Sequence, residues 1–121
     1  MSQMYVVNKE NGIAVSTMVE SPLIGDVGQK GWTIQTLSAA GVDTTFLIAE
    51  EGADVFPLHN DVNEWFGYVV EGSGQLHLGD AEQVTERVNY QAGDVVIFKP
   101  DTYHGWKAVT GSKLMFVKPS L

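Results

Sequence analysis

Residues 52–106 decide the fold: GADVFPLHNDVNEWFGYVVEGSGQLHLGDAEQVTERVNYQAGDVVIFKPDTYHGW. Short apolar and β-branched runs alternate here with clusters of Gly, Asn and Asp, which is the pattern of strands joined by tight turns. His59 and His104 each lie in an apolar, aromatic run beside a turn. This arrangement predicts a site inside a β-barrel that is supplied by two different strands.

The rest of the chain shows the same alternation of short strands and turns. Strands are predicted over 5–7, 13–19, 32–37, 44–49, 66–70, 75–78, 84–88, 95–98, 102–109 and 114–118. Residues 20–31 contain a proline and three glycines and are predicted to be an irregular loop, whereas 75–78 is predicted to be the hairpin partner of 66–70. No segment has a helical period over more than two turns. About ten short strands favour a closed all-β barrel or sandwich.

Length and composition limit the class of protein. A chain of 121 residues is expected to form one domain, 1–121. The absence of cysteine excludes disulfides, thiolate metal sites and cysteine nucleophiles. No apolar run approaches the ~20 residues of a membrane span, and the first residues lack the features of a signal peptide. A cytoplasmic protein is therefore expected.

The charge argues against polyanionic partners. Fifteen acidic residues against seven Lys and Arg give a net charge of −8. Because an acidic surface repels phosphate backbones and anionic lipids, neither a nucleic-acid partner nor a membrane partner is expected. A small-molecule ligand, even an anionic one, is compatible with this charge because one pocket can differ in sign from the whole surface.

The quoted stretch resembles the two motifs of the cupin superfamily, with the first motif over 52–74 and the second over 93–106. The second motif is most similar to that of short cupins related to ureidoglycine aminohydrolase. The resemblance implies an all-β fold, a single-domain cupin jelly-roll β-barrel, and a homodimer by analogy with small cupins. Cupins include several enzyme classes as well as storage and ligand-binding proteins, so the fold alone does not define the chemistry.

The resemblance also implies a ligand set for a divalent metal: two histidines and a glutamate from the first motif and one histidine from the second. The first histidine falls on His59, the second on Asp61, the glutamate on Trp65, and the second-motif histidine on His104. Asp101 stands where the family usually has a glycine. Two of the four ligand positions are therefore kept, one is a carboxylate and one is an indole.

His59, Asp61 and His104 are the candidate metal ligands. Residues i and i+2 of a strand share a face, so His59 and Asp61 point the same way. With His104 they form a two-histidine, one-carboxylate set, which suits iron and is also accepted by zinc, manganese or nickel. Open positions on such a metal permit isomerase, lyase, hydrolase or oxygenase chemistry on a small organic molecule.

Glu64 and Trp65 offer two interpretations of the first motif. In one, Trp65 faces the cavity, where its indole cannot bind a metal, and Gly67 makes room for the large ring. In the other, a β-bulge at Gly67 turns Glu64 inward as a general base or fourth ligand. The sequence leaves this choice open, although strand parity with His59 favours Trp65.

Trp65 also supports an alternative without metal. Trp106 lies two residues after His104 and shares its face, so Trp65 and Trp106 could enclose a planar ligand by stacking. Together with Gly67, they are the candidate pocket residues. Three functions follow: a metal-dependent enzyme, a metal-free small-ligand-binding protein, and a structural cupin.

Overall fold

The fold is all-β, as the sequence predicts. A computed structural model describes residues 3–120, and these contain twelve strands and no helix, hence no helix able to cross a membrane. The strands are β1 (Met4–Glu10), β2 (Ile13–Val19), β3 (Gly25–Asp26), β4 (Trp32–Ala39), β5 (Val42–Ala49), β6 (Phe56–His59), β7 (Trp65–Glu71), β8 (Ser73–Gly79), β9 (Val84–Gln91), β10 (Val95–Phe98), β11 (Tyr103–Ala108) and β12 (Ser112–Pro119).

Strands β3 to β12 form two antiparallel sheets around one core. The six-stranded sheet has the order β10-β7-β12-β5-β4-β3, and the four-stranded sheet has the order β6-β11-β8-β9. Leu47, Val69 and Leu114 from the first sheet pack with Leu76 and Trp106 from the second. These buried side chains alternate with outward-facing ones along each strand, as two facing sheets require. The architecture is a jelly-roll β-barrel.

The connection at Gly72 corrects the predicted hairpin between 66–70 and 75–78. Strand β7 pairs with β10 and β12, whereas β8 pairs with β9 and β11, so consecutive strands lie in different sheets. Gly72 has φ 90°, and a Cβ on it would lie 2.3 Å from the carbonyl oxygen of Gly111. Only glycine fits this crossing, which carries the chain from one sheet to the other.

Two N-terminal segments also differ in detail from the prediction. The first strand extends to Glu10, and the turn to β2 consists of Asn11 and Gly12 alone, with φ 50° and 80°. The segment 20–31 is not wholly irregular, because β3 pairs with Thr33 and Ile34 of β4. This short pairing holds the segment against the barrel just before Val27, which packs on the core.

Candidate functional site

A cavity of about 170 Å³ lies between the two sheets. Its wall is mostly apolar and aromatic, and it also contains two histidines, one carboxylate and one threonine. The lining residues are Val27, Ile34, Thr45, Leu47, Phe56, His59, Asp61, Trp65, Phe98, His104, Trp106 and Phe116. The apolar lining was not predicted from the sequence; the alternation that turns Ile34 and Leu47 inward on their strands was the available signal.

His59 and His104 lie side by side in this cavity. They are direct cross-strand partners on β6 and β11, and their ring centroids are 4.4 Å apart. The Nδ1 of His59 lies 3.1 Å from the carbonyl oxygen of Pro57, and the Nδ1 of His104 lies 3.0 Å from that of Thr102. A carbonyl can only accept, so each Nδ1 donates, and the neutral form of such a ring has a free lone pair on Nε2.

The turn before β11 sets the position of His104. Asp101 has φ 62°, in the left-handed region that favours glycine, which explains why the family usually has glycine here. The amide of Asp101 donates to the carbonyl oxygen of Asp61 at 2.8 Å, and the hydroxyl of Thr102 donates to the carbonyl oxygen of Lys99 at 2.8 Å. The turn therefore ties the two motifs together at the cavity mouth.

Burial keeps His104 neutral. It lowers the pKa of His104 to about 4, helped by the nearby His59 ring and opposed by the Thr102 carbonyl and the Asp61 carboxylate. The ring of Phe98, with its centroid 4.2 Å from that of His104, covers one side of the imidazole. His104 therefore offers an unprotonated nitrogen at neutral pH, which is the form that binds metals.

Asp61 lines the cavity but is held by its own loop. Its Oδ1 accepts hydrogen bonds from the backbone amide of Asn63 at 2.8 Å and from the side-chain amide at 2.9 Å. Burial alone would raise the pKa of Asp61, but the Asn63 hydrogen bonds, the Trp65 indole and the Lys118 charge together lower it. Asp61 is thus an anion beside the histidines. Among residues 3–120, however, no three His, Asp or Glu side chains are grouped closely enough to hold a metal ion.

Trp65, and not Glu64, faces the cavity. Trp65 is part of the lining, whereas the Glu64 side chain is 51% exposed and pairs with Lys99, with 3.1 Å between Oε1 and Nζ. The interpretation of Glu64 as a general base or fourth ligand is therefore not supported by the geometry. The pairing of β7 with β10 is regular from Trp65 to Tyr68, without a bulge at Gly67. The alternation of side chains along β7 therefore turns Trp65 towards the cavity.

Gly67 makes room for a different ring from the one that the sequence suggested. It is the cross-strand partner of Phe116, and a Cβ on Gly67 would lie 3.3 Å from that ring. Gly67 does not line the cavity itself. The missing side chain instead leaves room for the Phe116 ring, and Phe116 forms part of the cavity wall.

Trp106 lines the cavity and carries a buried polar atom. Only 1% of the residue is exposed, and its ring packs against Tyr90, Phe98 and Phe116. Its Nε1 is buried without a hydrogen-bond partner within the described chain. An indole N–H can only donate, so this atom is a candidate donor for a bound acceptor.

The facing sheets and the histidine-bearing cavity between them define a jelly-roll barrel with an internal site. Residues 45–118 match the family model described as "Cupin domain". The chain therefore belongs to the cupin family. No curated protein sequence matches it.

Solved structures with the same fold include an RmlC-like cupin, KdgF and oxalate decarboxylase. An RmlC-like cupin from Shewanella frigidimarina is 25% identical, with a TM-score of 0.61, and the match covers 82% of this chain and 85% of that one. KdgF from Halomonas is 18% identical, with a TM-score of 0.66 and coverage of 84% and 96%. A variant of oxalate decarboxylase from Bacillus subtilis is 16% identical, with a TM-score of 0.67, and the match covers 82% of this chain but only 27% of that longer one.

Proposed function

We propose that the cavity binds a small organic molecule and that His59 and His104 hold a divalent metal ion beside it. The observation that carries this proposal is the position of both Nδ1 atoms against backbone carbonyls, which favours the tautomer whose Nε2 has a free lone pair. Ligating histidines usually have their second ring nitrogen held in this way. Imidazole pairs suit iron, zinc and nickel, and a neighbouring carboxylate also admits manganese.

These residues supply only part of the ligand set that a metal ion requires. Two imidazoles and the Asp61 anion have the right chemistry, but Asp61 is held by Asn63 and the family's glutamate is replaced by Trp65. The remaining ligand positions therefore belong to Asp61 after a side-chain rotation, to water or to the organic molecule. A metal bound there would act as a Lewis acid on that molecule. One related fold, oxalate decarboxylase, is described with Mn(II) centres.

The organic part of the ligand is expected to be small and partly apolar. An apolar cavity of about 150 Å³ is known to accommodate benzene, and the cavity here has a similar volume of about 170 Å³. The unpartnered Nε1 of Trp106 would favour a ligand with a hydrogen-bond acceptor. Membership of the ureidoglycine aminohydrolase-related group stays a prediction from the second motif.

Metal counting in the purified, untagged protein tests the proposal. After incubation with iron, manganese, nickel or zinc and removal of the excess, we expect stoichiometric metal in the natural chain and a loss of metal in His104→Ala. His77→Ala is the matched control, because His77 is also a buried histidine but does not line the cavity. A natural chain that takes up none of the four metals would contradict the proposed metal site.

A metal-free ligand-binding protein is the second candidate, favoured by Trp65 in the wall. In that case phenol or benzene should raise the melting temperature of the metal-free protein. Trp65→Ala should abolish the shift, whereas Asp61→Ala should leave it largely intact. In the metal-dependent case Asp61→Ala should instead reduce metal content. The two variants therefore separate the two functions.

A further inference from the structure

The outer face of the four-stranded sheet carries a group of basic and amide side chains. Leu76, Tyr90 and Trp106 belong to the core, so the residues next to them on β8, β9 and β11 face outward. Strand register brings five of these outward side chains together in two adjacent cross-strand rows. They are here called the basic cluster: Gln75, His77, Arg87, Asn89 and Lys107.

His77 lies at the centre of the basic cluster and is buried without a good partner. Only 7% of the residue is exposed, although it lies on the outer face of the sheet. Its Nε2 lies 3.4 Å from Oε1 of Gln75, which is long for a hydrogen bond, and its Nδ1 makes no hydrogen bond within residues 3–120. Because buried polar groups normally have partners, the imidazole has hydrogen-bonding capacity left for a ligand.

The two cations of the basic cluster have no counter-charge. Among residues 3–120, neither Arg87 nor Lys107 forms an ion pair, although the chain has 15 acidic residues against seven Lys and Arg. The neighbouring carboxylate, Glu86, is paired with Leu78 and so belongs to the other face of the sheet. Opposite charges on facing strand positions stabilise a sheet. Their absence at this place is unusual in so acidic a chain.

Arg87 and Lys107 lie on the strands to either side of β8, with His77 between them. Neighbouring strands are about 4.8 Å apart, which places the Cα atoms of the two cations about 12 Å from each other. Two long side chains can close this gap around a small anion. Both charges already act on His77: burial lowers the pKa of His77, and Arg87 and Lys107 lower it further. An anion above His77 would contact both cations and relieve their effect on the ring.

We propose that the basic cluster binds a phosphate group, either free or carried by a small molecule. The planar fork of Arg87 suits two phosphate oxygens, and Lys107 adds a point charge. Two cations match the charge of about −1.5 to −2 that a phosphate monoester carries at neutral pH. His77 and the side-chain amides of Gln75 and Asn89 supply donors for the remaining oxygens.

The net charge of the chain limits the size of this ligand. At −8, the surface around the cluster repels a long polyanion such as a nucleic acid, whereas a single phosphate group needs only the two local cations. The cluster lies on the opposite face of the sheet from His104 and Trp106, which line the cavity. The inference is therefore independent of the proposed function of the cavity.

The imidazole resonances of the natural chain test the proposal, because the chain contains only three histidines. In a phosphate-free buffer, inorganic phosphate or glycerol phosphate should shift the signals of His77, which His77→Gln assigns by their loss. The signals of His59 and His104 should stay in place, and acetate at the same ionic strength should shift none of the three. A response to both probes assigns the site to phosphorylated small molecules, whereas a response to inorganic phosphate alone assigns it to the free ion.

Charge-removing variants show whether the cluster itself holds the anion. Arg87→Gln and Lys107→Gln should each weaken phosphate binding by at least about tenfold, because each removes charge-assisted hydrogen bonds. Arg87→Lys keeps the charge without the fork and should give an intermediate loss. Lys113→Gln is the matched control: it removes the same charge from the outer face of the six-stranded sheet and should leave binding unchanged. Circular dichroism checks that each variant is folded.

Three results would overturn the proposal. Shifts confined to His59 and His104 would place the anion in the cavity. Equal shifts with acetate would show general screening of charge, and full binding in folded Arg87→Gln and Lys107→Gln variants would exclude both cations. A poly-glutamate peptide that shifts His77 where phosphate does not would instead assign the cluster to an acidic protein partner.

Discussion

His59 and His104 face each other across the β6–β11 pairing, with ring centroids 4.4 Å apart and both Nδ1 atoms held by backbone carbonyls. In the proposed metal site, these two rings would be oriented before a metal binds. Trp65 lies in the same cavity, at the position where the cupin motif has its glutamate. The site therefore lacks one carboxylate relative to the family pattern, and this difference can be tested by restoring it.

Trp65→Glu is expected to strengthen metal binding. The new carboxylate would face the cavity next to both imidazoles, and carboxylates are good ligands for iron, manganese and zinc. The gain in affinity should exceed about tenfold, because even a partner outside the ligand shell typically changes affinity by that factor. Competition with a chelating dye measures it. Trp65→Gln, which removes the ring without adding charge, is the control and should give no comparable gain.

Glu64→Gln is expected to have little effect. The Glu64–Lys99 pair has side chains 51% and 71% exposed, and such surface pairs contribute only about 0–1 kcal/mol to the free energy of unfolding. Because Glu64 lies outside the cavity, metal content and ligand binding should be unchanged. Urea unfolding and metal analysis check both points. A loss of metal in Glu64→Gln would mean that Glu64 reaches the site in solution.

Gly67→Val is expected to destabilise the barrel. A Cβ on Gly67 would already lie 3.2 Å from the carbonyl oxygen of Val96 and 3.3 Å from the Phe116 ring. Overpacking of this kind costs about 1–3 kcal/mol. If Phe116 is the group that Gly67 accommodates, Phe116→Leu should cost less in the Gly67→Val background than in the natural chain. Additive losses in this double-mutant cycle would show that the two residues are not coupled.

Asp43→Asn is expected to reduce the acid sensitivity of the fold. Asp43 accepts hydrogen bonds from Ser120 at 2.6 Å, Lys118 at 2.9 Å and Ser38 at 2.7 Å, and these, with Ser120 first, hold the pKa of Asp43 well below its usual range. A depressed carboxyl pKa stabilises the fold above the unfolded pKa of about 3.9 and loses that effect as the pH falls below it.

Melting curves at neutral and acid pH measure this effect. The variant should melt lower than the natural chain at neutral pH, and the gap should narrow between about pH 5 and pH 2. A constant gap over that range would exclude Asp43 as the titrating group.

The strands themselves were largely predictable because local signals mark both ends. The predicted ranges 13–19 and 95–98 match β2 and β10, since each is an apolar or alternating run that is preceded by a Gly-containing turn and followed within three residues by a proline. The partner of a strand was not predictable in the same way. Strands β7 and β8 look like a hairpin in sequence, but β7 pairs with β10 and β12 whereas β8 pairs with β9 and β11, which places the two strands in different sheets.

The residues of the candidate site that belong to a sequence motif were predictable. The roles that depend on tertiary packing were not. His59 and His104 came from the two motifs, and strand parity pointed to Trp65 as the inward residue. The role of Gly67 was misassigned because its partner, Phe116, is distant in sequence and contacts it only through the pairing of β7 with β12. The hydrogen bonds from Asn63 to Asp61 likewise depend on a loop conformation that no sequence pattern indicates.

The position of β12 has a consequence for how the protein is made. Ser112–Pro119 lies between β5 and β7 and pairs with both, so it joins the two halves of the six-stranded sheet. On the ribosome, β5 can pair with β4 and β7 with β10, but the edges of β5 and β7 that face β12 stay unpaired until residue 119 has been synthesised. Sheets that depend on such distant pairings form slowly and leave unpaired edges exposed in the meantime. Nascent chains that stop before β12 should therefore be sensitive to proteases and dependent on chaperones.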